Sequence, residues 1–239
     1  MQGTNPVSDR NVKRIVIFDL DGTLVDGHGA GHQAMDGAFA AVYGRSGHFS
    51  GREFAGKTDP MVLREAAAEQ HLPLDPDTWS RLQDAFLEEL EKAAVSHPVT
   101  AMPGARALLR TLARDPSVGL AVGTGNLERG AAIKLRAAGL DGIFPVGGFG
   151  SDAPDRPGML RTAIERARTY YGAPEAAVVA VGDTPRDADA AAANGVPLMG
   201  VATGHYDQDA LRKAGAQAVF VNLEPMAAVL DAIRRLTAP

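Results

Sequence analysis

The sequence predicts a parallel α/β fold with helices on both faces of its sheet and an all-helical segment inserted near its start. Three observations predict it. An apolar, β-branched run opens the chain and stops abruptly at acidic residues. A stretch of purely helical periodicity follows, and strand and helix patterns then alternate to the C-terminus.

Residues 12–18 read as a buried strand, because Lys13 and Arg14 at its entrance are its only charges. From residue 26 to residue 98 the pattern is helical, over residues 34–43, 60–70 and 76–94. In the last of these Trp79, Leu82, Phe86, Leu87 and Leu90 recur at helical spacing, which places Trp79 in a packed core. Pro103-Gly104 punctuates the return. A helix over 105–114, a strand over 118–122 and a helix over 127–138 follow, the last stopped by Gly139. Residues 143–146 form a short strand candidate, then come a helix over 158–171, a strand over 177–181 and a helix over 185–193 with Pro185 suited to its first turn. Patterns at 198–202, 208–214, 218–221 and 224–236 complete the alternation. The boundaries expected are a core domain of residues 11–25 and 99–239 and a helical cap domain of residues 26–98. The glycines of Gly27-His28-Gly29-Ala30-Gly31 suit a hinge at the entry to the insert, and Gly147-Gly148-Phe149-Gly150 reads as a loop needing backbone freedom.

Composition narrows the chemistry. A chain of 239 residues buries a core without staples, and its lack of cysteine removes disulfides, thiolate nucleophiles and sulfur-ligated metals, leaving oxygen ligands suited to a hard cation. The 24 basic and 29 acidic residues are dispersed, with no basic block to track a nucleic-acid backbone. Residues 1–10 are polar rather than a targeting segment, and no apolar run nears the roughly 20 residues of a membrane helix. The expectation is a cytoplasmic protein that engages neither nucleic acid nor membrane, with monomer and homodimer both open.

In a parallel α/β fold the loops at the carboxyl ends of the strands form the site. Those tips carry Asp19 and Asp21, Thr124 and Asn126, and Asp183 with Asp187. Paired carboxylates at the end of a buried strand are costly unless a cation, a proton transfer or a close basic partner offsets their desolvation. Each motif alone also has a structural reading: a strand-ending turn at Asp19-Leu20-Asp21-Gly22, a helix cap at Gly182-Asp183-Thr184-Pro185, a turn at Thr124 and a solvated pair at Asp155-Arg156. Their ordered recurrence at successive strand tips favours a site.

Asp19-Leu20-Asp21-Gly22-Thr23-Leu24-Val25-Asp26 resembles the first signature of the haloacid-dehalogenase-like hydrolases, a superfamily rich in magnesium-dependent phosphatases. Thr124 in Gly-Thr-Gly-Asn, Arg156 in Asp-Arg-Pro and Gly182-Asp183-Thr184-Pro185-Arg186-Asp187 match its later motifs in order. The resemblance implies a three-layer, Rossmann-like core with an inserted helical cap. It implies Asp19 as nucleophile, forming an aspartyl-phosphate, and Asp21 as general acid and then base. It also implies Mg2+ held by Asp19, the Asp21 backbone carbonyl and Asp183, with Thr124 and Arg156 on the phosphoryl oxygens. Many relatives have lysine where Arg156 stands, and Arg161 is a rival for its role. Asp187 would orient metal-bound water or Arg156 rather than bind the ion.

The nearest resemblance is to phosphoglycolate-phosphatase-like members, through Gly56-Lys57-Thr58-Asp59-Pro60 and Val201-Ala202-Thr203-Gly204. The substrate implied is a small phosphorylated metabolite, with Lys57 and Asn126 as possible contacts. A β-phosphoglucomutase-like phosphotransferase, a dehalogenase, a phosphonate hydrolase and a non-catalytic phosphate-binding protein are the alternatives. His28, His32 and His205 read as polar linker, helix and loop residues.

Overall fold

The apolar run that opens the chain becomes β1 (Arg14–Phe18), followed by a two-residue strand, β2 (Val25–Asp26), and three helices, α1 (Ala30–Tyr43), α2 (Asp59–Glu69) and α3 (Pro76–Ser96). The chain returns through β3 (Thr100–Ala101) and then alternates: α4 (Ala105–Ala113), β4 (Val118–Gly123), α5 (Glu128–Ala137), β5 (Gly147–Gly148), α6 (Arg156–Tyr171), β6 (Ala177–Gly182), α7 (Pro185–Ala193), β7 (Leu198–Val201), α8 (Gln208–Lys213), β8 (Ala218–Phe220) and α9 (Met226–Leu236). This computed structural model describes residues 11–50 and 54–238, so the reading of residues 1–10 lies outside the described residues.

Six strands form one parallel sheet in the order β5-β4-β1-β6-β7-β8. The first strand is central because its side chains are apolar on both faces. Val16 and Phe18 join one core cluster and Ile15 and Ile17 the other, following the two-residue period of a strand. From β1 the chain moves outward to β4 and β5, then crosses back to β6 on the opposite side, so the connections reverse at β1 and open a crevice there. Phe18 lies opposite both Val122 and Val181, which brings three strand ends level.

The insert leaves and returns through an antiparallel ribbon that pairs Val25 with Ala101 and Asp26 with Thr100. On α3, Leu82, Phe86, Leu90 and Ala93 form the buried stripe that helical spacing predicts. Trp79 is partly buried against this core, and the Arg64 guanidinium lies 4.1 Å from its ring centroid. The architecture is a parallel α/β core with an inserted helical cap, as expected.

The ribbon strands β2 and β3 are not among the expected elements, and one expected strand is displaced. The strand expected at 143–146 is instead Gly147–Gly148, pairing with Val122 and Gly123. A Cβ on Gly147 would lie 2.5 Å from a Val122 methyl, and one on Gly148 2.5 Å from the Met159 carbonyl. Gly147 thus packs closely against β4 and Gly148 under α6, so both serve close packing rather than loop freedom.

Candidate active site

Asp19 follows the last residue of β1, and its backbone N–H donates to the Val181 carbonyl, so the central strand places it without a flexible linker. Arg156 opens α6, whose start is fixed by the Asp155 carboxylate accepting from Gly158 N at 2.7 Å. From there the guanidinium reaches Asp19 at 2.7 Å and donates to Asp187 Oδ1 from Nη2 at 2.6 Å and from Nε at 2.9 Å. The other Asp187 oxygen accepts from Thr184 N at 3.0 Å and Thr184 Oγ1 at 2.7 Å, closing a capping box on α7. Both Asp187 oxygens are thus engaged, and its carboxylate anchors Arg156. The rival Arg161 is exposed.

Asp183 follows the tip of β6 and accepts from Thr23 Oγ1 at 3.2 Å. Gly22 lies against it with a φ of 79°, and a Cβ there would come within 2.3 Å of Asp183 Oδ2, so no other residue fits this turn without displacing the carboxylate. Carboxylate oxygens of Asp19, Asp183 and Asp187 all lie within 4.8 Å of one another. Burial raises the Asp19 pKa to about 7, with Arg156 opposing and Asp187 reinforcing the rise. Burial, then Asp187 and Asp19, push Asp183 well above the ordinary carboxylate range. Three buried carboxyl groups face a single guanidinium, so ionising all of them would leave negative charge on oxygen donors without a cation to offset it, a cost that the raised pKa values of Asp19 and Asp183 express. That donor set fits a hard divalent cation such as Mg2+.

Asp21 turns the other way. Lys134 Nζ lies 2.8 Å from each of its carboxylate oxygens, and Asn126 Nδ2 donates to Oδ2 at 2.6 Å and to Thr124 Oγ1 at 2.7 Å. Asn126, expected as a possible substrate contact, commits its amide nitrogen to Asp21 and Thr124, while its buried Oδ1 has no hydrogen-bond partner among the described residues at the cavity it lines. Burial disfavours the Lys134 charge, but Asp21 and Asp59 outweigh it and its pKa lies above that of an ordinary lysine. Asp59, at the first residue of α2, accepts from Leu127 N at 2.9 Å. Burial raises its pKa to about 6 against the lowering effects of Lys134 and that hydrogen bond.

Asp19, Asp21, Thr124, Asn126, Arg156 and Asp183 line one cavity of about 320 Å3 together with Lys57, Asp59 and Lys134, with cap residues on its far wall. Lys57 Nζ pairs with Glu65 at 2.6 Å. His28 bridges the ribbon, with contacts to Asp26 and Thr100, and His32 stacks on Phe54 at 4.0 Å between centroids, so both serve the linker and helix as expected while facing the cavity. His205 lies in the loop after β7.

The sequence motifs do not single out Lys134. Its signal is a lysine at helical spacing among Leu127, Ala131 and Ala138, all four residues buried along α5 and its two caps.

A family model for haloacid dehalogenase-like hydrolases matches residues 13–195. The chain belongs to that family. A phosphoglycolate phosphatase from Pseudomonas fluorescens (strain Pf0-1) is 28% identical over 249 aligned residues, covering 100% of this chain and 88% of that protein. One from Pseudomonas syringae pv. syringae (strain B728a) is 31% identical over 217 residues, 86% of this chain and 75% of its own. The crystal structure of a hydrolase from Pseudomonas syringae superposes with a TM-score of 0.69 at 26% identity, covering 92% of this chain and 99% of that one. Among the described residues of this family member, no helix is long and apolar enough to cross a membrane.

Proposed function

We propose that this chain is a magnesium-dependent phosphatase of small phosphomonoesters, acting in the cytoplasm through an aspartyl-phosphate on Asp19. The observation that carries the reading is the Asp19 carboxylate at the tip of the central strand, clasped by buried Arg156 and faced by Asp183 in a cavity under a cap. The printed names of the Pseudomonas relatives make phosphoglycolate the first substrate to test.

An Asp19 oxygen attacks phosphorus and the ester P–O bond breaks, while Asp21 passes a proton to the departing oxygen. Water then attacks phosphorus, its proton passes to Asp21, and the bond from Asp19 to phosphorus breaks to release phosphate. Arg156, held by Asp187, and the Thr124 hydroxyl bind the equatorial phosphoryl oxygens. Asp19, Asp183 and the Asp21 carbonyl would hold Mg2+, which offsets the repulsion between nucleophile and phosphate. Residues 26–98 act as a cap domain over the core of residues 11–25 and 99–239, excluding water and presenting Lys57 to a second anionic group on the substrate.

The test is phosphate release with and without Mg2+ from phosphoglycolate, nucleotides, sugar phosphates and both glucose 1-phosphate anomers, with Asp19→Asn as control. Magnesium-dependent release that disappears in the variant is expected. Undiminished release in the variant would overturn the assignment of Asp19, and conversion of a glucose 1-phosphate to the 6-phosphate would make the chain a phosphotransferase.

A further inference from the structure

Lys134 has no part in the reaction as outlined, yet it is the charged member of an otherwise apolar stripe on α5 and its side chain is only 7% exposed. Burying an ammonium is unfavourable unless close partners compensate it. Its Nζ bridges the two oxygens of Asp21 symmetrically, at 2.8 Å to each, while Asn126 approaches Oδ2 from the loop after β4. The Asp21 side chain is 44% exposed to the cavity, so it is open to substrate on one side and held by donors from two elements on the other.

We propose that Lys134 is a positioning residue for Asp21: with Asn126 it fixes the carboxyl group in the orientation from which it passes a proton to the leaving-group oxygen. The role rests on the phosphatase reading above. A carboxyl at a turning strand end has two free torsions. One donor leaves it able to swing, whereas a bridging cation and an amide on one edge leave a single orientation. The cap contributes to this placement. At the N-terminus of α2, Asp59 accepts from Leu127 N at the start of α5, and its own N–H donates to the Gly125 carbonyl at 2.8 Å. The helix that carries Lys134 is therefore clasped just ahead of its first turn, at its N-cap Leu127 and at Gly125, by the inserted segment.

Leaving-group chemistry separates positioning from general support. An alkoxide needs a proton as the P–O bond breaks; p-nitrophenolate does not. The experiment compares Lys134→Met, close in length to lysine, with the wild type in single-turnover cleavage of an alkyl phosphomonoester and of p-nitrophenyl phosphate, both with Mg2+. General acid catalysis is worth roughly 10²–10⁴-fold, so loss of its orientation is expected to slow alkyl ester cleavage about 10- to 100-fold at unchanged KM. The nitrophenolate burst should fall less than about threefold on the same reasoning, and Lys134→Arg, which restores a bridging cation, should recover most of the alkyl rate. Equal losses on the two esters, or a change confined to KM, would overturn the proposal. If Lys134→Met does not fold, Lys134→Gln carries the same comparison with the same two outcomes. Failure of the wild type to cleave either ester would instead count against the phosphatase reading itself.

Discussion

Asp59 allows a quantitative test of how the cap is seated on the core. Its carboxylate is held between Leu127 N and the Lys134 charge, yet burial outweighs both and raises its pKa to about 6, against 3.8 for a free aspartate. The folded state thus binds a proton at Asp59 more tightly than the unfolded chain. Stability from this group is fully present below about pH 3.8 and is lost as pH rises through about 6, after which the difference is constant. The gap corresponds to about 3 kcal/mol, an upper value because the carboxylate borders the cavity and keeps some contact with solvent. Asp59→Asn keeps an oxygen to accept from Leu127 N but cannot ionise. Urea unfolding in the presence of a chelator, at intervals from pH 4 to pH 8, should show the variant gaining up to about 3 kcal/mol relative to wild type across that window. Parallel stability curves for the two proteins would refute the reasoning, since they would mean that the cap seats Asp59 without desolvating it.

Arg156→Met leaves Asp19 and Asp187 as buried carboxylates without their cation, so a destabilisation of about 3–5 kcal/mol and loss of turnover are expected in unfolding and phosphate-release assays. Arg156→Lys keeps the charge but not the fork, and should fold while losing about 10- to 100-fold in kcat/KM, equivalent to one charge-assisted hydrogen bond. Gly22→Ala forces a left-handed backbone costing about 1–2 kcal/mol and pushes a methyl into Asp183, so a magnesium titration should show weaker activation. Lys57→Ala should change stability by less than about 1 kcal/mol, since its pair with Glu65 is partly exposed. It should raise KM about tenfold for substrates with a second anionic group while sparing those without one, as measured across the ester panel.

The core of the site is legible in the sequence because its parts are local. A buried run ending in Asp19, a Thr-Gly-Asn after a strand and an Asp-Thr-Pro-Arg-Asp before a helix each declare a strand tip, and parallel pairing makes the tips neighbours. The position of Asp187 is legible for the same reason, since four residues after Asp183 it falls in the first turn of the next helix. The sequence leaves it to orient metal-bound water or Arg156, and the folded chain shows its contact with Arg156. Contacts between distant segments were not legible. Lys134 lies 113 residues from Asp21, and its meaning depends on how α5 is rotated against the sheet. For Asn126, expected as a possible substrate contact, only the folded chain shows that its amide nitrogen is committed to Asp21 while its Oδ1 stays without a partner among the described residues. The shift of β5 to Gly147–Gly148 has a similar origin: close approach to Val122 of β4 at Gly147 and to α6 at Gly148 selects glycine there, and strand propensity has no term for it.

The central claim is that Asp19 carries the phosphoryl group. Rapid acid quenching of the enzyme during turnover with Mg2+ and a phosphomonoester, followed by peptide mass spectrometry, tests it most directly. A phosphoryl group on Asp19 that is absent in Asp19→Asn is the expected result; turnover with no covalent phosphoryl group on the chain, or with one on another residue, would contradict the account.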